Sequence, residues 1–216
     1  MPISEEQELL RQEKMKETER RLFAAGYKYI AGVDEAGRGP LAGPVYAAAV
    51  ILPPDIRLDG INDSKRLSPK KREELFDEIT KKAIGYSVFS VDEKTIDEIN
   101  ILRATYMAMN KAVNSLIPKP DYVIIDGNGI KDMTIPHETI VKGDAKSISI
   151  AAASVLAKVS RDRYITEMAE LYPKYGFEKH KGYGTKEHTE AILKYGVSPI
   201  HRKTFLKKLL NSEREE

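Results

Sequence analysis

The chain contains neither cysteine nor tryptophan in 216 residues. Lack of cysteine excludes disulfides and thiolate metal sites, so any metal must take oxygen or imidazole ligands. Histidine is scarce as well, four residues against 33 Asp and Glu, which favours carboxylates as ligands. No long uncharged apolar run is present, and the N-terminus has neither the apolar core nor the small-residue cleavage signal of a secretory peptide. A cytoplasmic protein that does not enter a membrane is therefore expected. No Gly-Lys-Ser/Thr phosphate loop occurs, which argues against a nucleotide-dependent phosphotransferase. Internal repeats and low-complexity linkers are missing too, so a split into two large domains finds no support. Net charge is only +2 and by itself names no partner.

The distribution of charge says more than its sum. Between residues 174 and 208 lie nine Lys or Arg against three Glu, with three of the four histidines, a composition suited to a polyanion surface. Residues 1–24 are rich in Glu, Gln, Lys and Arg, with Leu9, Leu10, Met15, Leu22 and Phe23 as a thin apolar set. They read as a mostly exposed helical extension appended to a body over residues 25–216. In that body, β-branched and aromatic runs predict strands near 28–34, 44–52, 85–91, 122–125 and 139–142. The second is apolar on both faces and so belongs inside a sheet. Ser68 followed by Pro69 predicts a helix start, running to about residue 82. Further helices are expected at 99–116, from 148 toward 171 with Ile148, Ala152, Val155 and Val159 at helical spacing, at 186–194 and at 203–210. The last helix is basic and amphipathic and is expected to pack on the body.

Acid stands at the end of several apolar runs: Asp34 and Glu35, Asp126, and Asp144 one loop after another short strand. Sites in open α/β sheets form at the carboxyl ends of strands, so the four could converge. Four hard oxygen ligands suit Mg²⁺ or Mn²⁺. Two such ions about 3.5–4 Å apart can activate water and stabilise the leaving oxygen in phosphodiester cleavage. Each acid also has a plainer explanation, Asp144 as a helix cap and Asp126 before Gly127 as turn chemistry. Asp162, about 27 Å along the helix from Asp144 at ordinary rise, reads as a structural partner of Lys158.

These residues resemble the ribonuclease HII (type 2 ribonuclease H) family. The matching motifs are Gly32-Val33-Asp34-Glu35-Ala36-Gly37-Arg38-Gly39, Asn62-Asp63-Ser64-Lys65, Ile125-Asp126-Gly127, Lys142-Gly143-Asp144, Ser149-Ile150-Ala151-Ala152-Ala153-Ser154 with Lys158 and Arg161-Asp162, and Gly182-Tyr183-Gly184-Thr185. The resemblance implies an α/β, ribonuclease H-like fold, a mixed β-sheet flanked by helices, with a helical C-terminal part (about 173–216) that helps grip a duplex. It implies an endoribonuclease acting on the RNA strand of RNA–DNA hybrids and 5′ of single ribonucleotides in duplex DNA, giving 3′-hydroxyl and 5′-phosphate ends and serving ribonucleotide removal during replication and repair. Asp34, Glu35, Asp126 and Asp144 match the family's ligands for two Mn²⁺ or Mg²⁺ ions. Gly37, Arg38 and Gly39 match its sensor of the 2′-hydroxyl, and Tyr183 the tyrosine that packs on the sugar. Lys65, Lys146, Ser154, Lys158 and Arg161 are candidate phosphate contacts. A monomer is expected. The alternatives are a non-catalytic hybrid-binding module and a type 3 ribonuclease H, although the latter carries lysine where this chain has Arg38 and an N-terminal domain for which residues 1–24 are too short.

Overall fold

A sheet of five strands in the order β3-β2-β1-β4-β5 organises the molecule. The structure, a computed structural model, describes residues 4–212. The strands are β1 (Ile30–Ala36), β2 (Val45–Ile51), β3 (Gly85–Val91), β4 (Tyr122–Asp126) and β5 (His137–Ile140). β2 pairs antiparallel with both β1 and β3, while β4 runs parallel to β1 and β5, so the sheet is mixed and β1 is its centre. β2 is covered on both faces, as its unbroken apolar run requires. Its Ala48 and Val50 pack with α3 (Pro69–Lys82) and α6 (Ile148–Leu171), and its Ala47, Ala49 and Ile51 pack with α5 (Ile101–Ser115).

The helix starts follow local chemistry. Ser68 accepts from the Lys71 amide at the head of α3, and Ser147 does the same for Ile150 at the head of α6. All ten residues from Ile148 to Ala157 are buried, because the first half of α6 is apolar or small on every side. It lies against β1 at Gly32, where a Cβ would sit 2.2 Å from the Ser149 carbonyl carbon. The expected helix over 99–116 is α5, starting two residues later because Asn100, at φ 68°, caps it through the Leu102 and Arg103 amides; a short helix that the sequence reading did not contain, α4 (Glu93–Ile99), precedes it. The final strand is shifted by two residues from its expected place. After α6 come α7 (Phe177–His180), α8 (Lys186–Tyr195) and α9 (Lys203–Ser212), the helical C-terminal part. No described helix is long and apolar enough to cross a membrane.

The N-terminal segment departs from its reading as a mostly exposed helix. It forms two helices, α1 (Glu5–Met15) and α2 (Glu17–Ala24), and its Glu8, Gln12, Met15, Lys16, Glu19 and Leu22 are buried. Met15 and Leu22 enter the core while Leu9 and Leu10 stay exposed, and polar side chains share the docking. Glu8 accepts from the Gly60 amide at 2.8 Å and Gln12 from the Leu58 amide at 3.0 Å. The Arg11 guanidinium beside Glu8 holds its carboxyl down at about 2. A hydrophobicity count misses the polar part of this interface.

Gly32→Ala is expected to destabilise the fold by about 3 kcal/mol or more, the upper range for overpacking, since the added methyl meets backbone that cannot rotate away. Urea denaturation measures this; a loss under about 1 kcal/mol would mean that α6 shifts freely on β1.

Candidate active site

β1 does not end at Asp34. It pairs with β2 through Ala36, placing Asp34 opposite Ala48 and Glu35 opposite Ala47 as consecutive residues of one strand. Their side chains therefore leave opposite faces. Asp34 lies on the α6 side near Ser154, and Glu35 borders hollows on both sides. Asp126 joins them because β4 runs parallel to β1 with Ile125 opposite Val33, and β4 stops one residue later. Asp144 sits in the single turn Gly143–Ala145 between β5 and α6. The Gly143 amide donates to Asp126 Oδ1 at 2.6 Å, so the end of β4 holds the turn that carries Asp144. Asp144 caps no helix, since Ser147 has that role for α6.

Burial raises Asp34 well above the carboxylate range, and the charges of Glu35 and Asp126 add to the effect. Burial also raises Glu35, against the pull of Arg38 at 3.2 Å and with the push of Asp126. For Asp144 the causes are burial, then the Asp63 and Asp126 charges. Against desolvation, the surrounding Asp63, Asp34, Asp144 and Glu35 raise the Lys65 pKa. Among the described residues, no three acidic or histidine side chains are gathered tightly enough to hold an ion as they stand. Asp34 instead accepts from the Glu35 amide at 2.7 Å, Glu35 pairs with Arg38, and Asp126 holds Gly143. The chemistry nevertheless fits a hard divalent cation: all the donors are carboxylate oxygens, and their mutual repulsion is what such an ion relieves.

Beside the acids, the loop 37–44 is shaped by two arginines that touch none of its side chains through hydrogen bonds. Arg202, fully buried, donates to the carbonyls of Gly37 (2.6 Å), Arg38 (3.0 Å), Pro40 (2.9 Å) and Gly43 (2.8 Å). Arg161, also fully buried, donates to those of Ala42, Pro44 and Lys181 at 3.0–3.2 Å. Gly37 has φ 95°, and a Cβ there would meet Arg161 Nε at 2.2 Å. Backbone bonds from Leu41 to Gly182 and from Gly43 to Ile200 complete the support. Tyr183 stands next to this loop, 43 % exposed, and with Asp34, Glu35, Gly37, Arg38, Gly39, Ser64, Lys65, Ser154 and Lys158 it lines a hollow of about 180 Å³.

A ribonuclease HII family model matches residues 31–208. The chain belongs to the ribonuclease HII family. It is 60 % identical over 194 residues to ribonuclease HII of Caldicellulosiruptor saccharolyticus, covering 90 % of this chain and 95 % of that one. With ribonuclease HII of Acetivibrio thermocellus it shares 58 % over 205 residues, covering 95 % and 80 %. The crystal structure of ribonuclease H2 from Pyrococcus horikoshii superposes with a TM-score of 0.73 at 30 % identity, covering 88 % of this chain and all of that one. The sheet, the flanking helices and the helical C-terminal part are thus the ribonuclease H-like fold. As a member of ribonuclease HII, the chain is a metal-dependent endoribonuclease of the ribonuclease H type.

Several expected phosphate contacts sort differently within this ribonuclease HII frame. Arg161 is removed from that role, because it is sealed from solvent with its guanidinium committed to three carbonyls. Ser154 is buried and bonded to Ser64 at 2.7 Å, which makes it a neighbour of Asp34 more than a surface donor. Lys158 pairs with Asp162 at 2.7 Å, the structural partnership that their spacing suggested. Lys146 reaches the Val141 carbonyl from an exposed position, while Lys65 faces the acids. A larger hollow, about 700 Å³ along α3 and α6, shares Lys158 with the site, and much of its charge is paired within itself. Arg202, read from sequence only as part of a basic run, is the residue that reasoning from spacing missed.

The three C-terminal histidines are equally far from a polyanion surface. His180 stacks on His188 with ring centres 4.3 Å apart, and His188 and His201 meet Nε2 to Nε2 at 3.0 Å. One tautomer set satisfies them: His188 Nδ1 donates to the Tyr183 carbonyl, and His201 Nδ1 accepts from the Ser198 amide and donates through Nε2 to His188. Burial pushes His188 and His201 each down to about 4. An unfolded imidazole titrates near 6.5, so between about 6.5 and 4 the unfolded chain binds more protons and acid weakens the fold by on the order of a few kcal/mol. The raised carboxylates of the site act in the opposite direction. The melting temperature of the wild type is therefore expected to lose more between pH 6.5 and 4 than that of His201→Gln; equal losses in a calorimetric series would show that these rings are not held neutral.

Proposed function

We propose that this ribonuclease cleaves the RNA strand of RNA–DNA hybrids and nicks duplex DNA on the 5′ side of a single embedded ribonucleotide, leaving 3′-hydroxyl and 5′-phosphate ends. The observation that carries the reading is the direction of the peptide groups in loop 37–44. Because the Gly37 and Arg38 carbonyls turn inward to Arg202, trans peptide geometry turns the Arg38 and Gly39 amides the other way. A 2′-hydroxyl accepts hydrogen bonds as well as donating them, and deoxyribose offers no acceptor at that position. A Cβ at Gly39 would have only the Tyr183 ring near it, at 3.8 Å, so the backbone there is open to a sugar. Tyr183, half exposed beside it, offers a ring against which the next sugar can lie.

Asp34, Glu35, Asp126 and Asp144 would hold the metal, with Mn²⁺ or Mg²⁺ as the candidates. Two such ions, when bound, supply activation of a water and charge neutralisation at the leaving oxygen. The protein's own part is orientation. Asp126 fixes the Gly143 turn, Lys65 offsets part of the acidic charge, and Lys65 and Lys146 are the expected cations left to meet phosphates. Binding that relies on such contacts weakens as salt rises.

A labelled DNA duplex with one ribonucleotide, run beside an all-DNA duplex and a long hybrid with Mg²⁺, Mn²⁺ or chelator, tests the reading. Metal-dependent nicking 5′ of the ribonucleotide, with plain DNA intact, is expected. Cleavage of the long hybrid alone would transfer the protein to a type 1 or type 3 specificity, and no cleavage of either would leave a hybrid-binding module.

Asp144→Asn is expected to cut the cleavage rate by about a hundredfold or more, beyond what loss of an outer-sphere partner costs. Removing a charge that its neighbours disfavour should leave the metal-free melting temperature unchanged or higher. An unfolded variant would make Asp144 a structural residue.

A further inference from the structure

Glu19, on α2, is a buried carboxylate whose side chain hydrogen-bonds residues far along the sequence. Its Oε1 accepts from the Ser147 hydroxyl at 2.6 Å and from the Ser149 amide at 3.1 Å. Its Oε2 is buried with no hydrogen-bond partner. A carboxylate in that state is costly, and the N-terminal segment has other anchors in Glu8, Gln12 and Leu22. Docking the segment therefore does not explain it. What Glu19 does hold is the first turn of a 24-residue helix, where a negative charge meets the unpaired amides and the positive end of the helix dipole.

The same contact reaches toward the acids. Ser147, held by Glu19, gives its amide to the Gly143 carbonyl at 2.8 Å, and Lys146 does so at 2.9 Å. Gly143 in turn gives its amide to Asp126. Asp144 lies inside the turn closed by the Gly143 carbonyl and the Ser147 amide, directly after the residue whose amide is held by Asp126 of β4. We propose that Glu19 is a positioning residue for Asp144: through Ser147 it fixes the turn on which that carboxylate stands, making the N-terminal helices part of the support of the metal site. The inference rests on Asp144 being a metal ligand.

The test is Mn²⁺ titration of the full-length, substrate-free protein by calorimetry, with melting temperatures recorded alongside. Glu19→Ala is expected to raise the Mn²⁺ Kd about tenfold, the scale for loss of an outer-sphere support. Glu19→Gln keeps an acceptor for Ser147 and Ser149 and should bind Mn²⁺ as the wild type does. Gln12→Ala breaks a different anchor of the same segment and should lower the melting temperature with the Mn²⁺ Kd unchanged. A wild-type Kd in Glu19→Ala overturns the proposal whatever the melting temperature, and so does an equal weakening in Gln12→Ala. Should Glu19→Ala not fold, Ser147→Ala severs the link from the other side, with the same tenfold shift expected and a wild-type Kd equally fatal. Asp144→Asn separates the two ideas. If it binds Mn²⁺ normally, the ligand assignment fails; if it alone binds weakly, only the role of Glu19 fails.

Discussion

Two guanidinium ions are buried with no carboxylate among the described residues hydrogen-bonded to them, and loop 37–44 takes its form from their need for acceptors. A charge inside a protein must be satisfied by whatever polar groups can reach it. Arg161 and Arg202 are satisfied by seven main-chain carbonyls, six of them from loop 37–44. A chain that turns that many oxygens inward must curl tightly, hence the left-handed Gly37, and must present amides on its other side. Glu93, buried nearby with one oxygen unpartnered, gives the two cations a counter-charge without competing for their hydrogens. The C-terminal part serves the same end: a bridge between Ala42 and His201 sets Arg202 under the loop, and the histidine row ties Tyr183 to that segment.

The acidic cluster is built on the opposite principle. Its carboxylates are brought near one another by strand register and by a single turn, and burial together with the neighbouring negative charges opposes the ionisation of Asp34, Glu35 and Asp144. Asp34, Glu35 and Asp126 are diverted to an amide or an arginine in the meantime. A framework that holds like charges close must be stiff elsewhere, and the stiffness comes from α6 pressed on Gly32 and capped at both Ser147 and Glu19.

Much of this was legible in the sequence, for reasons that differ from place to place. Strands such as Val45–Ile51, the Ser68 and Pro69 helix start and the small-residue helix of Ile148–Leu171 follow from local pattern, and the structure has them close to where that pattern puts them. The acids were conspicuous because charge at the end of an apolar run is unusual. What stayed hidden was long-range and polar. Arg202 meets Gly37 across 165 positions and Glu19 meets Ser147 across 128, and no periodicity announces such pairs. The short helix Glu93–Ile99 was hidden for another reason: seven residues give too little periodicity to announce a helix. Arg161 was hidden by its charge, which suggests a surface until its burial is seen.

The shape of loop 37–44 is thus written largely outside it, at positions 161 and 202. The side chain at residue 38 is 51 % exposed and takes no part in that anchoring. Evolution can consequently exchange it while the main chain of the loop stays in place, so that, on the proposed reading, recognition of the ribose and preference for its surroundings can be inherited separately.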